Sequence, residues 1–184
     1  MTSNRPSGTQ PDSPDGVLTL EVFQRLLSPL GREVLRAAEA YVEPLEAVTA
    51  LRKTFPADLV AAAIETVDLR RRAAPKAKNA DFMFFTREAL EQASVGRVAM
   101  HRAQRFARYG TVSDWGCGIG IDTLGLSRVA RVVAIDSDPL RVAMAEANAQ
   151  VLERADNIDF VVGDYLVEPI RTEAIWADPS RRPD

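Results

Sequence analysis

"SDWGCGIGIDT", Ser113 to Thr123, puts three glycines into five positions directly after an acidic residue. Glycine loses more conformational entropy on folding than any other residue, so such a cluster needs a compensating reason. A tight turn is one; a ligand that must come close to bare backbone is the other. The flanks favour the second. "TVSDW" before it reads as a short apolar strand, and "IDTLGLSRVA" after it reads as a helix.

Downstream the alternation continues. "RVVAID" is a strand, "DPLRVAMAEANAQVLERA" a long helix, "IDFVVGD" a strand and "EAIWADP" another. Strands that are apolar throughout, separated by helices, imply a parallel sheet with helices packed on it. The expected fold class is therefore α/β, with a parallel sheet over residues 111–184; a family resemblance carried by the motifs of this region implies that the sheet is Rossmann-like, with strand order 3-2-1-4.

Upstream the pattern differs. Residues 1–17 are rich in Pro, Ser, Gly and Asp and carry almost nothing to bury, which predicts a disordered tail. Residues 18–110 read as a small all-helical region. "LTLEVFQRLL" is a short amphipathic helix broken by Pro29 and Gly31, and "REVLRAAEAYV" is a second. "PLEAVTALRKTF" and "PADLVAAAIETVDLRRRA" are two more, each opened by proline. "DFMFF", Asp81 to Phe85, is aromatic and compact and reads as one extended segment. Thr86 caps the next helix, and Ser94 starts another that runs to Tyr109.

The 184 residues, 46 % of them apolar, suffice for one domain and an extension. One cysteine, Cys117, excludes an internal disulfide framework. The opening residues hold no apolar signal segment and no stretch is long enough to span a bilayer, so a cytoplasmic, reducing location without membrane contact is expected. Residues 1–110 hold 16 Lys and Arg against 13 Asp and Glu, and residues 111–184 hold 7 against 13. The first part is thus the side that would face an anionic substrate.

In an open parallel sheet, ligands sit beyond the carboxyl ends of the strands, here beside the glycine turn and the start of the next helix. A dinucleotide site wants G-x-G-x-x-G or A. Counting from Gly116 the third position is Ile121, and from Gly118 it is Thr123, so neither fits. A triphosphate loop is absent too. Asp114-Trp115-Gly116-Cys117-Gly118-Ile119-Gly120 instead reads acid-x-G-x-G-x-G. Asp114 would repel a pyrophosphate and attract a cationic amino-acid tail.

That stretch resembles the first motif of class I S-adenosylmethionine (SAM) methyltransferases. The resemblance implies SAM as cofactor, cradled by Asp114, Gly116, Cys117, Gly118 and Gly120. It implies that Asp136 accepts from the ribose hydroxyls and Asp164 from the adenine amino group, with Tyr165 near the ring. It places the catalytic edge at Asp178, Pro179 and Ser180. "DWGCGIGIDT", "VVAIDSDPLRVAMAEANA" and "IDFVVGDYL" look like the trimethylguanosine-synthase branch. They look closer still to bacterial methyltransferases that carry a C-terminal THUMP-like domain. In those proteins a helical region precedes the SAM domain, and residues 51–94 resemble it. By that analogy Phe84, Phe85 and Thr86 fold back against the cofactor pocket, unless they form only a core aromatic cluster.

Two departures stand out. Asp178-Pro179-Ser180-Arg181 lacks the second proline and the base-stacking aromatic usual in amino-group methyltransferases, so the acceptor atom stays open. The family sheet has seven strands and this sequence ends just past the fourth, so a truncated fragment, unstable and without turnover alone, is expected. The functional expectation is methyl transfer to an RNA nucleoside; the alternative is a non-catalytic SAM-binding piece. RNA is the candidate macromolecular partner. His101, Arg97, Arg102, Arg105 and Arg108 form a basic helix, either a solvated face or a phosphate patch. Arg70 to Arg72 end a helix, where cations suit the dipole. Cys117 reads as a small residue the turn tolerates, not a catalytic thiol. No Cys/His spacing suggests a metal.

Overall fold

The computed structural model describes residues 18–77, 79–92, 96–168 and 170–178. The tail at 1–17, Ser94, Pro179 and Ser180 lie outside the described residues.

The helical part opens with α1 (Leu20–Leu27) and α2 (Pro29–Glu39), joined at the single residue Ser28. Its hydroxyl donates to Arg25 O at 2.6 Å and accepts from Gly31 N at 3.2 Å, closing one helix and capping the next. Pro29 therefore starts α2 rather than ending α1 alone, and Gly31 lies inside α2. A Cβ at Gly31 would stand 2.2 Å from the Leu26 carbonyl oxygen, so the sharp corner itself demands glycine. α3 (Pro44–Leu51) and α4 (Ala57–Ala73) follow. The buried face of α4, with Ala62, Ala63 and Ala73, is narrow enough for α1 and α2 to lie closely on it.

A single 3-10 turn (Ala80–Phe82) leads into Met83–Thr86, which is non-helical, so the expected extended segment is real only from Met83 onward. Thr86 accepts from Ala89 N at 3.0 Å and caps α5 (Arg87–Gln92), as its sequence suggests. α6 (Gly96–Ala103) ends in a 3-10 turn at Gln104–Phe106 instead of running to Tyr109.

The α/β part is β1 (Thr111–Trp115), α7 (Ile121–Leu126), β2 (Arg131–Asp136), α8 (Pro139–Val151), β3 (Ile158–Val162) and β4 (Ala174–Ala177). The four strands form one sheet in the order β3-β2-β1-β4, and every pairing is parallel. This is the expected topology. Asp114, Ala134, Phe160 and Trp176 stand in one row across it. α6 crosses α7 where Gly125 meets the Ala99 backbone; a Cβ there would be 3.0 Å from Ala99 O. One continuous core joins the two parts: Phe23, Leu26 and Val60 belong to the same cluster as Val112, Val132 and Met144.

Candidate functional site

The carboxyl ends of the strands meet at the glycine turn. Asp114 and Trp115 end β1, Asp136 ends β2, Asp164 follows β3 by two residues and Asp178 follows β4. The turn is tied to β2. Gly116 N and Cys117 N donate to Ile135 O at 2.8 and 3.0 Å, and Gly118 N donates to Asp136 Oδ2 at 2.9 Å. Gly116, Gly118 and Gly120 all adopt left-handed φ, +75°, +55° and +87°. Their surroundings differ. A Cβ at Gly116 or Gly118 would meet nothing within 4 Å, whereas at Gly120 it would lie 3.0 Å from Ala145 Cβ on α8. The first two glycines leave open space over the turn; the third lets α8 pack.

Asp114 is buried and accepts from Thr123 Oγ1 at 2.5 Å. Burial raises its pKa from 3.8 to about 7, the Thr123 bond lowers it, and Asp122, Asp136 and Asp178 push it up again. Three further carboxylates thus act on one buried carboxyl, which makes the cleft strongly anionic. Asp122 is also pushed up, by burial and then by Asp178, against the pull of Arg102.

Arg102 supplies the positive charge of this cluster. It lies 3.5 Å from Asp122 and 3.7 Å from Asp178, with its guanidinium 5.6 Å from the Trp176 ring centroid. Its position on a basic helix suggests a solvated side chain, but it turns inward and ties the helical part to the end of β4. Phe106 meets the same ring edge-on at 6.0 Å. Arg102 Nη1, Asp122 Oδ1, Trp115 Nε1 and Trp176 Nε1 are buried without a hydrogen-bond partner among the described residues. Such atoms are costly unless another polar group completes them.

Asp136 uses Oδ1 to accept from Asp138 N at 3.0 Å and Oδ2 for the turn. A carboxylate has about four acceptor positions, so two remain for hydroxyl donors. Asp164 stands on the rim, exposed, with Oδ1 accepting from Leu166 N at 2.9 Å. It is not among the groups that act on Asp114. Tyr165 stacks on Trp115 at 5.1 Å with planes 20° apart. Cys117 is buried, and burial and then Asp114 push its thiol pKa up, which disfavours the thiolate.

Phe85 and Thr86 line a cavity with Asp138, Leu140 and Arg141, just after the Asp136 strand end. Phe84 does enter the aromatic core, edge-on to Phe23 at 5.0 Å. Arg70 is not merely a dipole partner. Buried, it donates to Met83 O at 2.9 Å and Phe82 O at 3.2 Å. Sequence reading missed Arg102, Trp115, Asp122, Thr123 and Trp176. Asp122 and Thr123 sit within the quoted glycine stretch, one turn into the helix, where a side chain can reach back to the strand end. Arg102 carries no mark that separates it from the neighbouring arginines.

With this geometry in place, the comparisons with known proteins fall on the same segments. Residues 109–178 match the model of the RNA cap guanine-N2 methyltransferase family. Residues 19–73 match a separate domain family of unknown function. Over 126 residues the chain is 39 % identical to a protein of Mycobacterium tuberculosis described as an uncharacterized SAM-dependent methyltransferase, found in strains CDC 1551 and H37Rv. That alignment covers 65 % of this chain and 34 % of the relative, so the chain spans about a third of the length of the curated relatives it matches. A crystal structure from Porphyromonas gingivalis W83, of a protein described as a methyltransferase, superposes with a TM-score of 0.70 at 21 % identity, covering 86 % of this chain and 41 % of that one. The α/β part has the Rossmann-like fold of class I methyltransferases, and the preceding helices belong to the shared architecture. Among the described residues no helix is long and apolar enough to cross a membrane, and no His/Cys/Asp/Glu group could hold a metal ion.

Proposed function

We propose that the chain carries the SAM site of a methyltransferase that acts on RNA nucleosides in the cytoplasm. The observation that supports this most is the glycine turn. Two left-handed glycines face open space, and the turn is bonded to Asp136 and ringed by carboxylates. That environment suits a cation that lies close to backbone, as a sulfonium and an ammonium do, and it opposes a pyrophosphate.

In this reading Gly116, Cys117 and Gly118 line the cofactor and Gly120 seats α8. Asp114 balances the ammonium, Asp136 takes the ribose hydroxyls, and Asp164 with Tyr165 borders the base. SAM, when bound, supplies an electrophilic methyl group that passes to a lone pair on the acceptor and leaves a neutral thioether. The chain's own contribution is alignment and exclusion of water. Asp178, held by Arg102, orients the acceptor together with the Pro179 and Ser180 main chain. The RNA assignment draws support from the matched family's description and from the basic first part of the chain.

Calorimetry tests the first half: SAM and S-adenosylhomocysteine bind and NAD does not. Labelled SAM incubated with total RNA and a longer form of the chain, at the length of the relatives it matches, tests the second, with transfer of label to RNA as the expected result. Binding of NAD in place of SAM sinks the reading.

A further inference from the structure

Asn148 is fully buried in the last turn of α8, and its carboxamide joins three separate segments. Oδ1 accepts from Phe84 N at 2.7 Å, and Nδ2 donates to Phe84 O and to Ile119 O, both at 3.0 Å. Pairing with both main-chain groups of one residue is what a neighbouring strand does; here one side chain does it. Its second donor reaches Ile119, which lies between Gly118 and Gly120 in the turn.

Phe84 belongs to the strap Met83–Thr86. The other side of that strap is gripped by Arg70, which bonds the Met83 and Phe82 carbonyls and lies 5.0 Å from the Phe84 ring centroid. Beyond Phe84, Phe85 and Thr86 border the cavity that Asp138 also lines, and Asp138 N donates to Asp136. The strap thus runs from the glycine turn to the end of β2. Three glycines give the turn little conformational preference of its own. Its shape depends on outside anchors, and Asn148 is one that the helical part shares.

We infer that Asn148 is a positioning residue that couples the glycine turn to the strap Met83–Thr86, so that SAM binding at the turn and docking of the strap strengthen each other. The inference rests on the SAM reading of the turn. Coupling of this kind is reciprocal: whatever docking of the strap adds to SAM affinity, SAM returns as protection of the strap.

The test uses the full chain, calorimetry with SAM, and amide hydrogen exchange with and without SAM. In the wild type, SAM slows exchange at Phe84 N–H by tenfold or more. Asn148→Asp keeps the volume and the acceptor for Phe84 N but turns an oxygen toward the Phe84 and Ile119 carbonyls. It weakens SAM binding at least tenfold and abolishes the SAM-dependent slowing at Phe84, while SAM-dependent changes at the turn amides persist at saturating SAM. Arg70→Met loosens the strap from its far side, so Phe84 exchanges faster without ligand yet still slows when SAM is added. A purely structural role for Asn148 would instead raise exchange at Phe84 and at core amides such as Val60 alike. SAM affinity in Asn148→Asp within twofold of wild type overturns the inference. So does wild-type SAM binding without a change at Phe84, a measurement that decides the matter even if the variant does not fold. A wild type that binds no SAM overturns the functional reading itself and this coupling with it.

Discussion

Asp114 carries the sharpest consequence at the level of a single residue. Its carboxyl has a pKa of about 7 in the fold against 3.8 for the free side chain, so the folded chain holds that proton more tightly than the unfolded one. This contribution to stability is complete below about pH 4 and is lost as pH rises to about 7, at up to about 1.4 kcal/mol per pH unit. Urea midpoints measured across that window should show the decline, and Asp114→Asn should flatten it. A cation beside Asp114 favours its ionised form. SAM binding should therefore release a proton and tighten by up to about tenfold per unit from pH 5 to 7, as calorimetry in buffers of different ionisation enthalpy would show. The acid's presence at the site was legible because it opens a glycine motif. Its burial was not, because Asp136 and Asp178 stand at the ends of other strands, which only the folded sheet brings beside it.

Among the elements, the glycine turn divides into two functions, and two substitutions separate them. Gly118→Ala incurs the left-handed strain of about 1–2 kcal/mol but meets no neighbour, so the fold should survive while SAM affinity collapses. Gly120→Ala adds contact with Ala145 at 3.0 Å to the same strain. It should cost about 1–3 kcal/mol more stability, and so lower the thermal midpoint further, as α8 is pushed away. Thermal melts paired with calorimetry distinguish the two. The parallel sheet was readable from the sequence because apolar runs of four to six residues alternate with helical periodicity, and its strand order from the family resemblance. The α1–α2 corner was not. Pro and Gly signal breaks, but here Pro29 occupies the first position of a new helix, and Gly31 is required by the approach of two carbonyls rather than by a turn.

For the whole molecule, the helical part and the sheet share one apolar core and, among the described residues, are fastened by Asn148, by Arg102 and by the Arg141–Glu88 ion pair. They should unfold together. Helix content followed by circular dichroism and sheet burial followed by hydrogen exchange should give one urea midpoint, and Arg102→Met should shift both equally. Removing that side chain leaves Asp122 and Asp178 without their shared cation, a loss of about 1 kcal/mol at partly exposed pairs. The sequence showed two regions of different periodicity but not their fastening. Asn148 looked like an ordinary polar residue in a helix, and Arg102 like one arginine among several. The chain's two tryptophans, Trp115 and Trp176, both stand at the cleft, one stacked under Tyr165 and the other between Phe106 and Arg102. Intrinsic indole emission therefore reports on this cleft alone, so an unlabelled protein carries its own optical gauge of whatever enters there.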